Sequence, residues 1–271
     1  MRKFLTAVLF LFLPLVLAGQ TSAVEEVLVI EVPNLSTGGN FCFENPKGSV
    51  MITGYNGEVI LVTAKLRYSK IESSGDDKLR KLNQYPFEMS AEIRGDKVVL
   101  LCKSNGKTVD FDIKLPQNFS LSIKSKDNGE VKIVKVNADI DVENPHGDII
   151  LLGIIGSANL SSVEGSIYAD FKEIDSTKPI MISTLEGDLS LGIPEESKLS
   201  FKLKSTEKEI LTDLNIVRLN RGSIIKQKED KKVFVMDDWT NGKLNGGGAL
   251  CTLNTYHGNI TINKRGFAVT F

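Results

Sequence analysis

The sequence predicts an all-β protein: a β-helix or β-solenoid-like stack of about 18-residue two-strand repeats with a capping excursion. Three observations predict it. A glycine followed by apolar residues at fixed offsets recurs along the chain, an asparagine, serine or threonine stands three positions ahead of it, and the register returns after an insertion.

The best repeats define the pattern. From Gly147, Ile149 and Leu151 follow at offsets two and four, Ile154 at seven, Gly156 at nine, and Ala158 and Leu160 at eleven and thirteen. The next unit opens at Gly165, 18 residues on, and the previous one at Gly129, 18 residues back, with Val131, Ile133, Val136, Ile140 and Val142 at the same offsets. Alternation within each run reads as two half-buried strands per unit, and no single unit buries its own apolar face.

The amino terminus is a secretory signal peptide over 1–23. Arg2 and Lys3 precede an apolar run from Phe4 to Leu17, then small residues at Ala18 and Ala23 offer cleavage points. The run is shorter than the roughly 20 residues a bilayer span needs, and no transmembrane span is expected after cleavage. One all-β domain over 24–271 follows, with a repeat core over about 40–192 and 245–265 and an excursion over about 198–243. Export places the protein in the periplasm, at the cell surface or outside the cell.

Strands begin at Val27 to Ile30 and Phe41 to Phe43, and Gly48 opens the first repeat with Val50, Ile52, a mid-unit Gly57, Val59 and Leu61. The charged stretch from Lys65 to Lys81 reads as a solvated hairpin tip or short helix. Strands resume at Phe87 to Ile93, Lys97 to Leu101 and Thr108 to Lys114. Between Gly165 and Gly187 the spacing is 22, the extra residues falling near Ser176 to Pro179, yet Ile180, Ile182 and Thr184 keep their places ahead of Gly187. A one-residue slip would turn every core side chain outward, so this recovery marks a buried face. Register is lost from Lys198 to Lys243 and returns with Cys251, Leu253, Thr255, Gly258, Ile260 and Ile262. At each corner the residue three ahead of glycine (Asn45, Asn144, Ser162, Thr184, Thr255) is expected to satisfy backbone groups, and the glycine to supply a positive φ.

Removing Arg2 and Lys3 takes the formal charge from −1 to −3. Nucleic acid is thereby excluded as a partner, because no basic stripe is present to release counterions. Cys251 takes a core offset and reads as a small buried hydrophobe. Cys42 points away from Phe41 and Phe43, and its pairing with Cys102 is left open by the sequence.

The stretches VDFDIKLPQNFSLSIKSKDNGEVKI from Val109, NPHGDIILLGIIGSANLSSVEGSIYADF from Asn144 and NGKLNGGGALCTLNTYHGNITINKR from Asn241 resemble the bacterial putative-adhesin domain of unknown function, which is related to autotransporter adhesin head domains. The resemblance covers about 40–265. It implies an all-β, β-helix-like domain in exported or envelope proteins, and it carries no catalytic residue set and no cofactor. Histidine at His146 and His257, where asparagine is commoner, departs from the pattern.

Two outward sets are candidates for function. Asp139, Asp141 and Glu143 alternate with core Ile140 and Val142, beside Ser157, Asn159 and Ser161 of the next unit. They form either a solvated polar face or an oxygen-rich calcium or glycan face. Val134, Ile150, Leu152 and Tyr168 stack outward on adjacent units, and apolar residues there need cover from the excursion, from the amino-terminal strands or from a partner. Trp239 beside Asp237 and Asp238 is either an anchor for the cap or a platform for a sugar ring. The expected function is therefore that of an exported, non-enzymatic envelope protein, structural or adhesive, acting through an outward sheet face. The alternatives are a calcium-dependent glycan-binding or carbohydrate-active protein using the three acids, and a periplasmic scaffold or signalling accessory binding another protein through the apolar set.

Overall fold

A computed structural model describes residues 25–32, 38–67, 87–219, 223–228, 231–236 and 238–265. The expected signal peptide, the charged stretch beyond Arg67, and Asp237 lie outside the described residues. Among the described residues every regular element is a β-strand, and together they form a ten-stranded sheet (A), an eleven-stranded sheet (B) and a separate hairpin.

Strand β1 (Glu25–Glu31) lies at the edge of sheet A. β2 (Gly39–Asn45) enters sheet B and β3 (Val50–Tyr55) sheet A, forming the first two-strand unit. β4 (Val59–Leu66) then runs back in sheet A, antiparallel to β1, and β5 (Glu88–Arg94) edges sheet B. β6 (Lys97–Lys103) and β7 (Val109–Pro116) make a second unit. Four further units follow: β8 (Phe119–Ser125) with β9 (Val131–Val134), β10 (Ile140–His146) with β11 (Ile149–Gly156), β12 (Ala158–Glu164) with β13 (Ile167–Ile174), and β14 (Ile180–Thr184) with β15 (Leu189–Ile193). β16 (Leu199–Ser205) and β17 (Ile210–Thr212) make another unit, then come β18 (Val217–Arg218), the hairpin β19 (Ser223–Lys228) and β20 (Lys231–Met236), and β21 (Thr240–Leu244). β22 (Ala249–Thr255) and β23 (Ile260–Lys264) close the described chain.

In every unit the first strand lies in sheet B and the second in sheet A, and equivalent strands of neighbouring units pair in parallel. The two sheets list the units in one spatial order, and that order is not the chain order. β6–β7 lie on the outer side of β2–β3, so the first unit made is tucked one place inside the stack. Likewise β22–β23 lie between β14–β15 and β16–β17. At both ends of sheet B, and at one end of sheet A, antiparallel strands cover the outermost parallel unit.

The core is a set of straight columns. On the inner face of sheet B, Leu100, Phe43, Ile123, Val142, Leu160, Ile182, Leu253 and Leu203 stack across eight strands, and all are buried. Each side chain meets its equivalent in the units above and below, which lets an alternating apolar pattern bury itself only when units are stacked. Cys251 sits in the adjacent column, paired with Ile180 and Phe201, and is fully buried as its offset predicts.

One corner carries the strictest requirement. A Cβ built on Gly165 would lie 2.2 Å from the carbonyl oxygen of Gly147, and the same clash recurs from Gly147 to Gly129, Gly187 to Gly165, and Gly258 to Gly187. Any side chain there would push the units apart. Gly165 has φ +158° and Gly147 φ +127°, as the turn reading expects, but Gly129 and Gly258 are not in the positive-φ region. At those two, space alone demands glycine. The residue three ahead seals the same corner from inside: Asn144 Nδ2 donates to the carbonyls of Gly129 and Gly147, both at 2.9 Å, and Thr255 Oγ1 to that of Gly187 at 3.0 Å. Ser162 is the exception, its buried hydroxyl lacking a partner.

Two parts of the chain depart from the sequence reading. Val59 and Leu61 are not core positions; Ile60, Val62, Ala64 and Leu66 are buried instead. After Tyr55 the chain reverses rather than turning the corner, Gly57 packs under the Tyr55 ring, and β4 runs antiparallel against β7 with its parity shifted by one. The segment after Lys198 does not leave the stack at once: Leu199, Phe201 and Leu203 of β16 are buried in register with Ala249, Cys251 and Leu253.

The corner yields a discriminating substitution pair. Gly129→Ala, with ordinary φ but a Cβ 2.1 Å from the carbonyl of Gly48, is expected to cost about 3 kcal/mol or more. Gly95→Ala, with φ +67° and open space, is expected to cost only about 1–2 kcal/mol. Urea denaturation of the two variants measures the difference, and equal losses would contradict steric control at the corner.

Candidate binding face

The outer faces of the two sheets differ in chemistry. On sheet B, Asp141 and Glu143 alternate outward on β10, and Asp139 directly precedes the strand, with Asn159 and Ser161 beside Asp141 and Glu143 on β12. Each acid is already engaged. Asp139 accepts from Ser157 Oγ at 2.9 Å and pairs with Lys178 at 2.8 Å; Asp141 accepts from Asn159 Nδ2 at 2.7 Å; Glu143 pairs with Lys124 at 3.2 Å. Lys178 is held protonated above its ordinary range by the hydrogen bond to Asp139. Among the described residues no group of three or more histidine, cysteine or acidic side chains is arranged to hold a metal ion.

The remaining polar candidates are also accounted for locally. His146 faces Glu164 at 3.4 Å, and His257 lies between Glu207 at 3.2 Å and Glu186 at 3.8 Å, all at the glycine corner. Trp239 packs against the ammonium groups of Lys202 and Lys204, 4.6 and 5.9 Å from its ring centre, tying β21 to the outer face of β16.

Cys42 and Cys102 are free. Phe41 and Phe43 point inward, so Cys42 points outward, whereas Cys102 shares the inward parity of Val98 and Leu100 on the next strand. The two thiols are on opposite sides of sheet B and do not meet.

The outer face of sheet A carries an apolar patch among polar residues. β11 pairs with β9 and β13 so that Ile150 lies beside Lys132 and Tyr168, and Leu152 beside Val134 and Asp170. The four residues singled out from the sequence thus form one contiguous patch. Ile150 is only 6% exposed although it points away from the core. Val134, Leu152 and Tyr168 are half-buried. The described strands β16, β17, β18 and β21 extend the two sheets at one end rather than crossing this face, and β1 is a sheet edge. A β-bulge at Gly153, φ +66°, shifts the register just past Leu152 and bends the strand.

Next to the patch lies a groove of about 670 Å³ lined by Leu152, Tyr168, Asp170, Lys172, Pro194, Glu195, Glu196, Lys264 and Arg265. Its floor comes from β11 and β13, one rim from the linker after β15, the other from the end of β23. Arg265 Nε donates to Asp170 Oδ2 at 3.4 Å, and Lys264 pairs with Glu195 at 2.8 Å. Burial pushes the Tyr168 phenol above its ordinary range, and the Asp170 carboxylate adds to the shift. The sequence reading missed the rims, because Lys264 reaches Glu195 only through the insertion of β23 beside β15. One signal was available: Asp170 and Gly192 share the outward offset five of Val134 and Leu152.

No family model matches the chain, and no curated protein matches it. Among solved structures, one described as a putative cell adhesion protein from Clostridium sporogenes is similar over 90% of this chain and 100% of its own, with 13% identity and a TM-score of 0.49. No helix among the described residues is long and apolar enough to cross a membrane.

The cysteines give a check on the placement of the two faces. Burial pushes the Cys251 thiol up to about 12, and burial followed by the Glu26 carboxylate pushes Cys102 up to about 11, from an ordinary 9.0. At about pH 8 a thiol reagent is expected to modify Cys42 alone until the protein unfolds. Because both thiols ionise at higher pH in the folded chain, they contribute stability that is complete below pH 9 and lost as pH rises through 11 and 12. Rapid labelling of Cys251 in the native state would contradict its core position.

Proposed function

We propose that this chain is an exported, non-enzymatic envelope protein with a structural or adhesive role, a β-solenoid whose working surface is the outer face of sheet A. The observation that carries the reading is the contiguous apolar patch of Val134, Ile150, Leu152 and Tyr168, which faces away from the core and runs into a groove. Outward apolar surface on a stacked sheet is costly unless something covers it. The stack itself supplies the platform, its units from β2–β3 through β22–β23 packed backbone against backbone at the glycine corner. The signal peptide and the adhesin-domain resemblance support export.

The polar face of sheet B offers less. Its carboxylates are neutralised by Lys124 and Lys178 or occupied by neighbouring amide and hydroxyl groups, so recruiting a calcium ion there means breaking contacts already made. A protein partner on the sheet A patch is a narrower form of the same proposal, and the substitution below tests both.

Leu152→Glu places a charge in the centre of the patch without touching the core columns. The protein is expected to keep its melting temperature within about 3 °C and to lose adhesion to envelope preparations by about tenfold or more, roughly 1.4 kcal/mol. Asp141→Ala on sheet B, and added calcium, are expected to change neither. Unfolding of Leu152→Glu, or calcium-dependent adhesion lost in Asp141→Ala, would contradict the assignment.

A further inference from the structure

The geometry points to an uncharged saccharide as the ligand of the groove beside Tyr168, a deepening of the adhesive reading on which it rests. The floor of the groove is Leu152 of β11 with Tyr168 and Asp170 of β13, and the next residue in the outward row, Gly192, is buried beside the Asp170 carboxylate.

The charges of the groove select against an ionic ligand. Asp170, Glu195 and Glu196 are matched by Lys172, Lys264 and Arg265. Two ion pairs, Arg265 with Asp170 and Lys264 with Glu195, fix four of these side chains in place. A polyanion or polycation would gain as much repulsion as attraction. The paired groups retain hydrogen-bonding capacity, because Arg265 uses only Nε toward Asp170 and a guanidinium carries four further N–H donors. Asp170 is only 14% exposed, its Oδ2 accepting from Arg265 and its Oδ1 buried against Gly192.

The apolar component completes the match. Leu152, Tyr168 and Pro194 give the groove an apolar ledge beside these polar groups. A sugar ring presents an apolar C–H face and a rim of hydroxyls, and aromatic side chains with a polar tip suit such amphipathic surfaces. The groove is an open cleft of about 670 Å³ rather than an enclosed cavity. Tyr168 therefore acts as a specificity determinant through its ring.

The full exported chain is the material for the test. Neutral, acidic and amino-bearing oligosaccharides on an array, followed by calorimetry of any hit at low and high salt, measure the ligand class. The expected result is binding of a neutral oligosaccharide that is insensitive to salt, weakened about tenfold or more by Tyr168→Ala, and unchanged by Asp141→Ala. Chemical-shift perturbation in the unsubstituted protein should centre on Tyr168, Asp170 and Arg265, which keeps the test independent of how the variants fold. Selective, salt-sensitive binding of acidic glycans, or neutral binding whose shifts map away from the groove, would overturn the inference. Absence of any saccharide binding while Leu152→Glu still abolishes adhesion would overturn it too and leave the adhesive reading standing; loss of both would remove that reading as well.

Discussion

From β2–β3 through β22–β23 the stack depends on a carbonyl oxygen occupying the space that a side chain on the next unit would need. At Gly129, Gly147, Gly165, Gly187 and Gly258 the preceding unit's glycine carbonyl lies 1.8–2.3 Å from where a Cβ would stand. Parallel strands pair at roughly 4.8 Å, and a corner that joins two sheets keeps that spacing only if its backbone approaches equally closely. Glycine allows it. The flanking positions then deal with the polar groups left at the turn. Inside, Asn144, Thr184 and Thr255 donate to the glycine carbonyls. Outside, the residue after each glycine accepts from the next unit's amide: Asp148 Oδ1 from Ser166 N–H at 2.8 Å, Ser166 Oγ from Asp188 N–H at 3.2 Å, and Asp188 Oδ1 from Asn259 N–H at 2.7 Å. The residue three ahead of the glycine and the residue after it thus satisfy backbone groups that water would otherwise have to satisfy.

Because units dock through the same corner and the same core columns, spatial order is not bound to chain order. The chain uses this at both ends. β6–β7 stack outside β2–β3, and β16–β17 outside β22–β23, so that antiparallel strands rather than bare parallel edges terminate most of the stack. Those covering strands carry charge: β1 is bounded by Glu25 and Glu31, and β5 by Glu88 and Arg94. Charged edges discourage pairing with another chain. The same permutation brings Lys264 and Arg265 to Glu195 and Asp170 and so builds the groove.

Much of this was legible in residue spacing. The glycine register placed Cys251 in the core, located the four-residue insertion between β13 and β14, and grouped Val134, Ile150, Leu152 and Tyr168 on one outer face. Local alternation cannot show which strand a segment pairs with. Val59 and Leu61 fit the repeat by spacing yet belong to a reversed strand, and β16 joins the core without a corner glycine of its own to announce it. The ladder after the glycines was overlooked for another reason: Asp148, Ser166, Asp188 and Asn259 read as ordinary solvated polar residues until their partners in the neighbouring unit are known. The groove was unreadable because its rims are joined only in space.

A stack with largely polar outer faces and one apolar patch that runs into a groove on sheet A is consistent with the proposed role in surface attachment. That role depends on the units remaining locked at the glycine corner. Amide hydrogen exchange followed residue by residue tests this most directly. The account predicts that the corner amides of Ser166, Asp188 and Asn259, each bonded to a side chain of the preceding unit, exchange as slowly as those of core Leu151 and Leu191. Exchange of those three amides at the rate of exposed turn residues such as Gly95 and Gly106 would contradict it.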